Sequence, residues 1–176
     1  FVCFDSTFFA TALGTLAALC FSRPHMPYKG LIMSILISPM IVPLIITAAG
    51  MFFFYAKINL VYTFTGIILA HIALSTPFVV ITVTATLVGF DMNMVRASQS
   101  LGAKPIRTFF KVIMPLILPG VISGALFAFI TSFDEVVIVM FMASLDQLTI
   151  LKQMWAGILQ EISPVIFSMA KCVVAL

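Results

Sequence analysis

From Tyr62 to about Val88 the chain carries no Asp, Glu, Lys or Arg. Four further apolar runs accompany this one: Phe4 to Phe21, Leu31 to about Tyr55, Pro119 to about Met142, and one starting near Pro164. A hydrocarbon core about 30 Å thick takes roughly 20 residues of helix. Inside it every backbone N–H and C=O must be satisfied, which an α-helix does within one segment. The chain is therefore expected to be an all-α membrane protein with about five spans. Composition agrees, with 62% hydrophobic and 9% charged residues and a mean hydropathy of +1.24. Soluble domains carry about 25% charged residues, so too few are present here to cover a surface in water.

With no internal repeat or low-complexity tract, residues 1–176 are expected to form a single domain. The sequence opens at Phe1 and stops at Leu176 inside an apolar run, so a piece of a longer membrane protein, cut at both ends, is expected. In the first run Thr7, Thr11, Gly14 and Ala17 are small residues suited to close helix packing. The second is expected to kink at Pro39 and Pro43, and the third at Pro77. His71, mid-span, is expected to pack and to bond a carbonyl near that kink rather than relay protons. The Phe and Met residues at 52, 53, 54, 140 and 142 are expected to face lipid or neighbouring helices. Cys3, Cys20 and Cys172 lie in apolar surroundings without ligand spacing, so buried, inert thiols are expected rather than a disulfide or metal site. Residues 148–162 place apolar side chains at 148, 151, 155, 158 and 162. This stripe predicts an amphipathic helix at the interface, with Trp155 as anchor. Lys171, inside the last run, must snorkel or face a cavity.

The links between runs differ in charge. Residues 22–30 carry Arg23 and Lys29, and residues 89–118 carry Arg96, Lys104, Arg107 and Lys111. The alternate links carry Lys57 and Lys152 alone. Cytoplasmic links are the cation-rich ones, so 89–118 is expected in the cytoplasm and the Trp155 helix on the other side. No basic face with interleaved aromatics points to nucleic acid. Within 89–118, Asn93 to Leu101 can form a short helix, Gly102 can take the left-handed conformation that ends it, and Pro105 can begin a second. Ile106, Phe109, Phe110, Ile113 and Met114 would give that second helix an apolar side, and Lys104, Arg107 and Lys111 a basic one. Pro115 and Pro119 are expected to stop it and restart the chain into the membrane. Two readings of such a hairpin stand: docking on another protein, or resting on anionic headgroups.

The segment ASQSLGAKPIRTFFKVIMPLILPGV, from Ala97 to Val121, resembles the EAA loop of binding-protein-dependent ABC importer permeases. Ala97, Gly102, Ala103, Phe109, Ile113, Pro115, Pro119 and Gly120 match that loop in order and spacing. Arg96 stands where the family usually has Glu, and Ser98 where it has the second Ala. SPMIVPLIITAAG (38–50) and AHIALSTPFVV (70–80) are similar to core helices of these permeases. FITSFDEVVIVMFM (129–142) and QMWAGILQEISPVI (153–166) resemble the spermidine/putrescine branch in particular. The resemblance implies a type I ABC importer transmembrane domain in a bacterial inner membrane, without catalysis or cofactor of its own. It implies as partners a cytoplasmic ABC ATPase subunit, a second permease subunit (a heterodimer in the polyamine branch) and an extracytoplasmic substrate-binding protein. Its cargo would be a polyamine, or on the same framework ferric iron, a phosphonate or another small solute. The coupling contact with the ATPase would lie at Arg96, Ala97, Ser98, Gly102, Ala103, Lys104, Pro105 and Phe109.

Asp134 and Glu135 lie about 15 residues into a helix read as beginning at Pro119, hence about 22 Å along it at 1.5 Å per residue. Carboxylates at that depth are costly in lipid and face a cavity or a partner, which makes them candidates for the path of a cationic substrate. The alternative is a hydrated outer helix end, or pairing with Lys152 or Lys171. Asp146 and Glu161 are expected on the outer surface. A membrane-embedded enzyme using Asp134, Glu135 and His71 lacks any metal-ligand or nucleophile–base spacing. A passive channel would have no need of the basic insert.

Overall fold

Small side chains at every fourth position let three long helices of this chain meet backbone to backbone. The computed structural model describes residues 1–22, 27–89 and 91–144, together with Met154, Ser168, Lys171 and Cys172. In it the order of elements is α1 (Val2–Phe21), α2 (Lys29–Ile41), α3 (Leu44–Lys57), α4 (Phe64–Val88), α5 (Met92–Ser100), α6 (Pro105–Thr108), a π-helical turn (Phe109–Ile113), α7 (Met114–Phe133) and α8 (Val137–Met142). No strand occurs among the described residues.

α4 lies between α1 and α7. On α1 the buried line is Ser6, Ala10, Gly14 and Ala18, and on α7 it is Ile117, Gly120, Gly124, Ala128 and Ser132. A Cβ at Gly14 would lie 2.6 Å from Val79 Cβ, and one at Gly124 would lie 2.5 Å from Thr82 Oγ1 and 3.0 Å from Val79 Cα. Such approach is how helices associate where lipid removes the hydrophobic drive. Of the packing residues expected on α1, only Gly14 is in this seam. Thr7, Thr11 and Ala17 flank it half-buried, and Thr7 bonds back to the Cys3 carbonyl at 2.6 Å.

Contacts fix the helix directions. Ser6 Oγ donates to Ile68 O at 3.4 Å and Gly14 meets Thr76, so α1 and α4 run parallel. His71 meets Ser132, Ser75 meets Ala128 and Gly120 meets Thr86, so α7 runs antiparallel to both. α1 and α4 therefore end at the face where the helix from Pro105 begins, which is the face of the cation-rich links 22–30 and 89–118.

The prolines expected to kink the chain are placed differently. Pro39 stays inside α2, and the chain instead turns by 107° between α2 and α3. The turn falls at Val42, extended at ψ 135°, and Pro43, because a residue before proline is driven out of the helical region. Pro77 lies within α4, which continues to Val88. The fourth run does not start at Pro119 either: one helical rod runs from Pro105 to Phe133. The π-turn ends two residues before Pro115, with Met114 N–H donating to Phe109 O. Its wider coil accommodates the ring that would otherwise meet the carbonyl of residue 111. At its far end the rod stops at Phe133, and α8 folds back to bury Ile138, Val139 and Met142 against Ala48, Ile67, Ala70 and Leu74.

Val2–Phe21, Phe64–Val88 and Pro105–Phe133 are each long and apolar enough to span, and the bent α2–α3 pair counted as one broken span makes four. Most of the fifth run and of the 148–162 segment, with Trp155, Asp146, Lys152 and Glu161, lies outside the described residues. Cys3 is half-buried, while Cys20 and Cys172 are exposed rather than buried, and Lys171 is exposed. Phe53, Phe54 and Met140 face outward, and Met142 packs in the core.

Candidate functional site

Local chemistry builds the helix pair of α5 and α6. Asp91 opens α5, its carboxylate accepting from Asn93 N–H at 2.9 Å. Gly102 closes it at φ +78°, a conformation that costs glycine nothing and other residues about 1–2 kcal/mol. Two backbone bonds hold the turn, Gly102 N–H to Gln99 O at 2.9 Å and Ala103 N–H to Ser98 O at 3.2 Å. Lys104 is the exposed N-cap of α6 and Pro105 its first residue. The two helices are tied by a hydrogen bond between the hydroxyls of Ser98 and Thr108, 2.9 Å apart. Thr108 is buried, and the sequence reading missed it.

Between the helices lies a groove of about 620 Å³, lined by Ala97, Ser98, Gly102 and Ala103 together with Arg107 and Lys111. Arg96, Lys104 and Pro105 are exposed outside its lining. Phe109 is half-buried in the π-turn, edge to face with Phe110 at 5.1 Å. The expected apolar side divides: Phe109, Ile113 and Met114 turn inward, while Ile106 is 74% and Phe110 63% exposed.

The other end of the rod carries the acidic pair, which the structure separates. Asp134 is exposed and Glu135 is 8% exposed. Neither lies within a helix: they occupy the break between α7 and α8. Glu135 Oε1 accepts from Ile138 N–H at 2.8 Å, capping the first turn of α8. The same residue lines a cleft of about 410 Å³, whose one wall is the α2–α3 elbow (39–44) and whose other is Leu74, Phe78, Thr131 and Glu135. Apart from Thr131 and Glu135 the side chains of that lining are apolar.

The depth of this cleft follows from α1, whose 20 residues measure about 30 Å, the hydrocarbon thickness. The contacts of α1 put its middle level with about residue 73 of α4, and so with about residue 130 of α7. Leu74 and Thr131 are thus close to the midplane, and Glu135 about one turn further out. His71, 1% exposed, bonds through Nδ1 to Ser132 Oγ at 2.8 Å. Its partner is a hydroxyl of the neighbouring helix, where a carbonyl near Pro77 was expected.

The helical core thus carries an exposed, basic helix pair at one end of the rod and a buried carboxylate facing the α2–α3 elbow at the other. The chain belongs to the family of binding-protein-dependent transport system inner membrane components, whose family model matches residues 10–176. It has the type I ABC importer transmembrane fold and is a multi-pass protein of the inner membrane. It is 31% identical over 171 residues to the spermidine/putrescine transport system permease protein PotC of Haemophilus influenzae, covering 97% of this chain and 62% of that protein. With PotC of Escherichia coli K12 it shares 33% identity over 133 residues, 76% of this chain and 50% of the relative. With the putrescine transport system permease protein PotI of the same strain it shares 31% over 102 residues, 58% and 36% respectively. The chain thus spans between about a third and three fifths of the length of these relatives.

Proposed function

We propose that this chain is one of two permease subunits lining the pore of an ATP-driven importer, and that its cargo is a polyamine such as putrescine or spermidine. The observation that carries the cargo is Glu135. One buried carboxylate in a cleft apolar but for Thr131, near the midplane, complements an ammonium group on a methylene chain. A hydrated metal complex or a phosphonate would find no such match. The relatives named for spermidine and putrescine support the same reading.

ATP hydrolysis belongs to a separate cytoplasmic subunit, on which the loop 89–118 docks through Ala97, Ser98, Gly102 and Ala103, with Arg96, Lys104, Pro105 and Phe109 beside them. A different permease subunit completes the pore, and an extracytoplasmic binding protein delivers cargo. The continuous rod from Pro105 to Phe133 supports direct coupling, because a stiff helix carries displacement at its docked end to the break that holds Glu135. Seating cargo against Glu135 in one state, and withdrawing the elbow wall in the other, would alternate access.

Uptake of labelled putrescine and spermidine by the reconstituted complex tests this. Glu135→Gln is expected to lower kcat/KM by about tenfold to a hundredfold, about 1.4 to 2.8 kcal/mol. Unchanged uptake by that variant would remove Glu135 from the cargo path.

A further inference from the structure

The docking tip combines bare apolar side chains with charge of one sign. Leu101 is 88% and Ile106 74% exposed, and Arg96, Lys104, Arg107 and Lys111 of the same segment are all exposed. Between Met92 and Phe133 the chain supplies no Asp or Glu to neutralise these four. Asp91, at the membrane end of the loop, has its carboxylate engaged as the α5 cap. Two of the cations, Arg107 and Lys111, line the groove itself.

From these features we infer that the surface this loop docks on is an acidic face of the ATPase. An apolar pocket there would receive Leu101 and Ile106. Carboxylates around it would meet Arg96 and Lys104, and one would enter the groove between Arg107 and Lys111. The inference rests on the coupling reading above and adds the chemistry of the partner to it. Arg96 strengthens it: an exposed cation in the middle of α5 complements an acid opposite, the reverse of what a glutamate there would call for.

Geometry favours protein over anionic lipid as the counterpart. Phe21, the inner end of α1, is level with about Gly120 of α7 by the same register. Residues 105–113 of the rod therefore stand roughly 10 to 22 Å past the hydrocarbon edge, beyond a headgroup layer of about 5 to 8 Å per side. A concave groove held off the membrane fits a protruding carboxylate better than a headgroup plane.

The test uses the whole transporter with its cognate ATPase subunit, whose affinity for the permease is measured as sodium chloride is raised. Wild-type affinity is expected to fall with salt. The double reversal Arg107→Glu with Lys111→Glu should weaken it by about tenfold or more and flatten the salt dependence. Selection for restored uptake in the reversed variant should yield acid-to-lysine changes in the ATPase. Leu101→Asp is the companion variant. If it weakens binding while the reversal does not, the contact is apolar only and the acidic face is wrong. Should neither variant alter affinity, the loop is not the dock and the coupling reading falls with it. A reversal effect that vanishes in neutral phosphatidylcholine liposomes would assign the cations to lipid and overturn the inference.

Discussion

The rod from Pro105 to Phe133 ends in two regions made on opposite terms. At its Pro105 end most side chains are exposed, the charge is positive, and the geometry comes from residues within some fifteen positions of one another: the Gly102 turn, the Pro105 start, the Ser98–Thr108 bond. At its other end the acid is buried. Its surroundings come from two distant parts of the chain, the elbow at 39–44 and Leu74 and Phe78 on α4, with the adjoining α8 beside them. A surface built locally can be displaced as a unit without repacking the core. A cleft assembled from separate helices changes shape whenever one of them shifts. The first arrangement suits receiving a push, and the second suits opening and closing on a cargo.

Breaking the shaft should abolish the contrast altogether. Gly124→Leu forces a side chain into Thr82 and Val79, at about 3 kcal/mol or more, so the yield of monodisperse protein in detergent should collapse. Gly102→Pro is the next largest, and it should strike one end alone. Proline cannot adopt φ +78° and removes the N–H bonded to Gln99, at about 3 kcal/mol or more. ATP-driven uptake should be lost while detergent yield stays normal, since the turn is exposed; normal transport would sink the docking assignment. Smaller still is the separation of charge from cap at Glu135. Gln keeps an oxygen for Ile138 N–H and loses only charge, whereas Ala loses both. Both should depress uptake, and Ala alone should lower the thermal midpoint, by about 1 kcal/mol of stability. Asp134→Asn, exposed beside it, should change uptake by less than about twofold; a larger loss would make the pair act together and erase the distinction between them.

How much of this was legible in the sequence divides along the same line. Gly102 and Pro105 act through their own backbone preferences, so the helix pair could be read residue by residue. The helical membrane class followed equally directly from uncharged runs. What escaped depended on distant partners. Small residues line α1 both at 7, 11, 14, 17 and at 6, 10, 14, 18, and only the approach of α4 selects the second set. Pro39 and Pro43 look alike in the sequence, yet the elbow falls at Pro43, where Val42 is driven extended. The break after Phe133 has no Gly or Pro to announce it. Its one signal is an acid three residues before an apolar turn, Glu135 capping Ile138, which is easily passed over within a long apolar run.

The π-turn at Phe109–Ile113 has a rotational meaning. An α-helix advances about 100° per residue, and a π-turn takes up one extra residue in its coil. The turn therefore clocks the rod, setting the angle between the groove cations Arg107 and Lys111 and the Gly120–Gly124 line that grips α4. Winding the same residues as α-helix throughout would keep every side chain of the helix pair and aim it about a quarter-turn away.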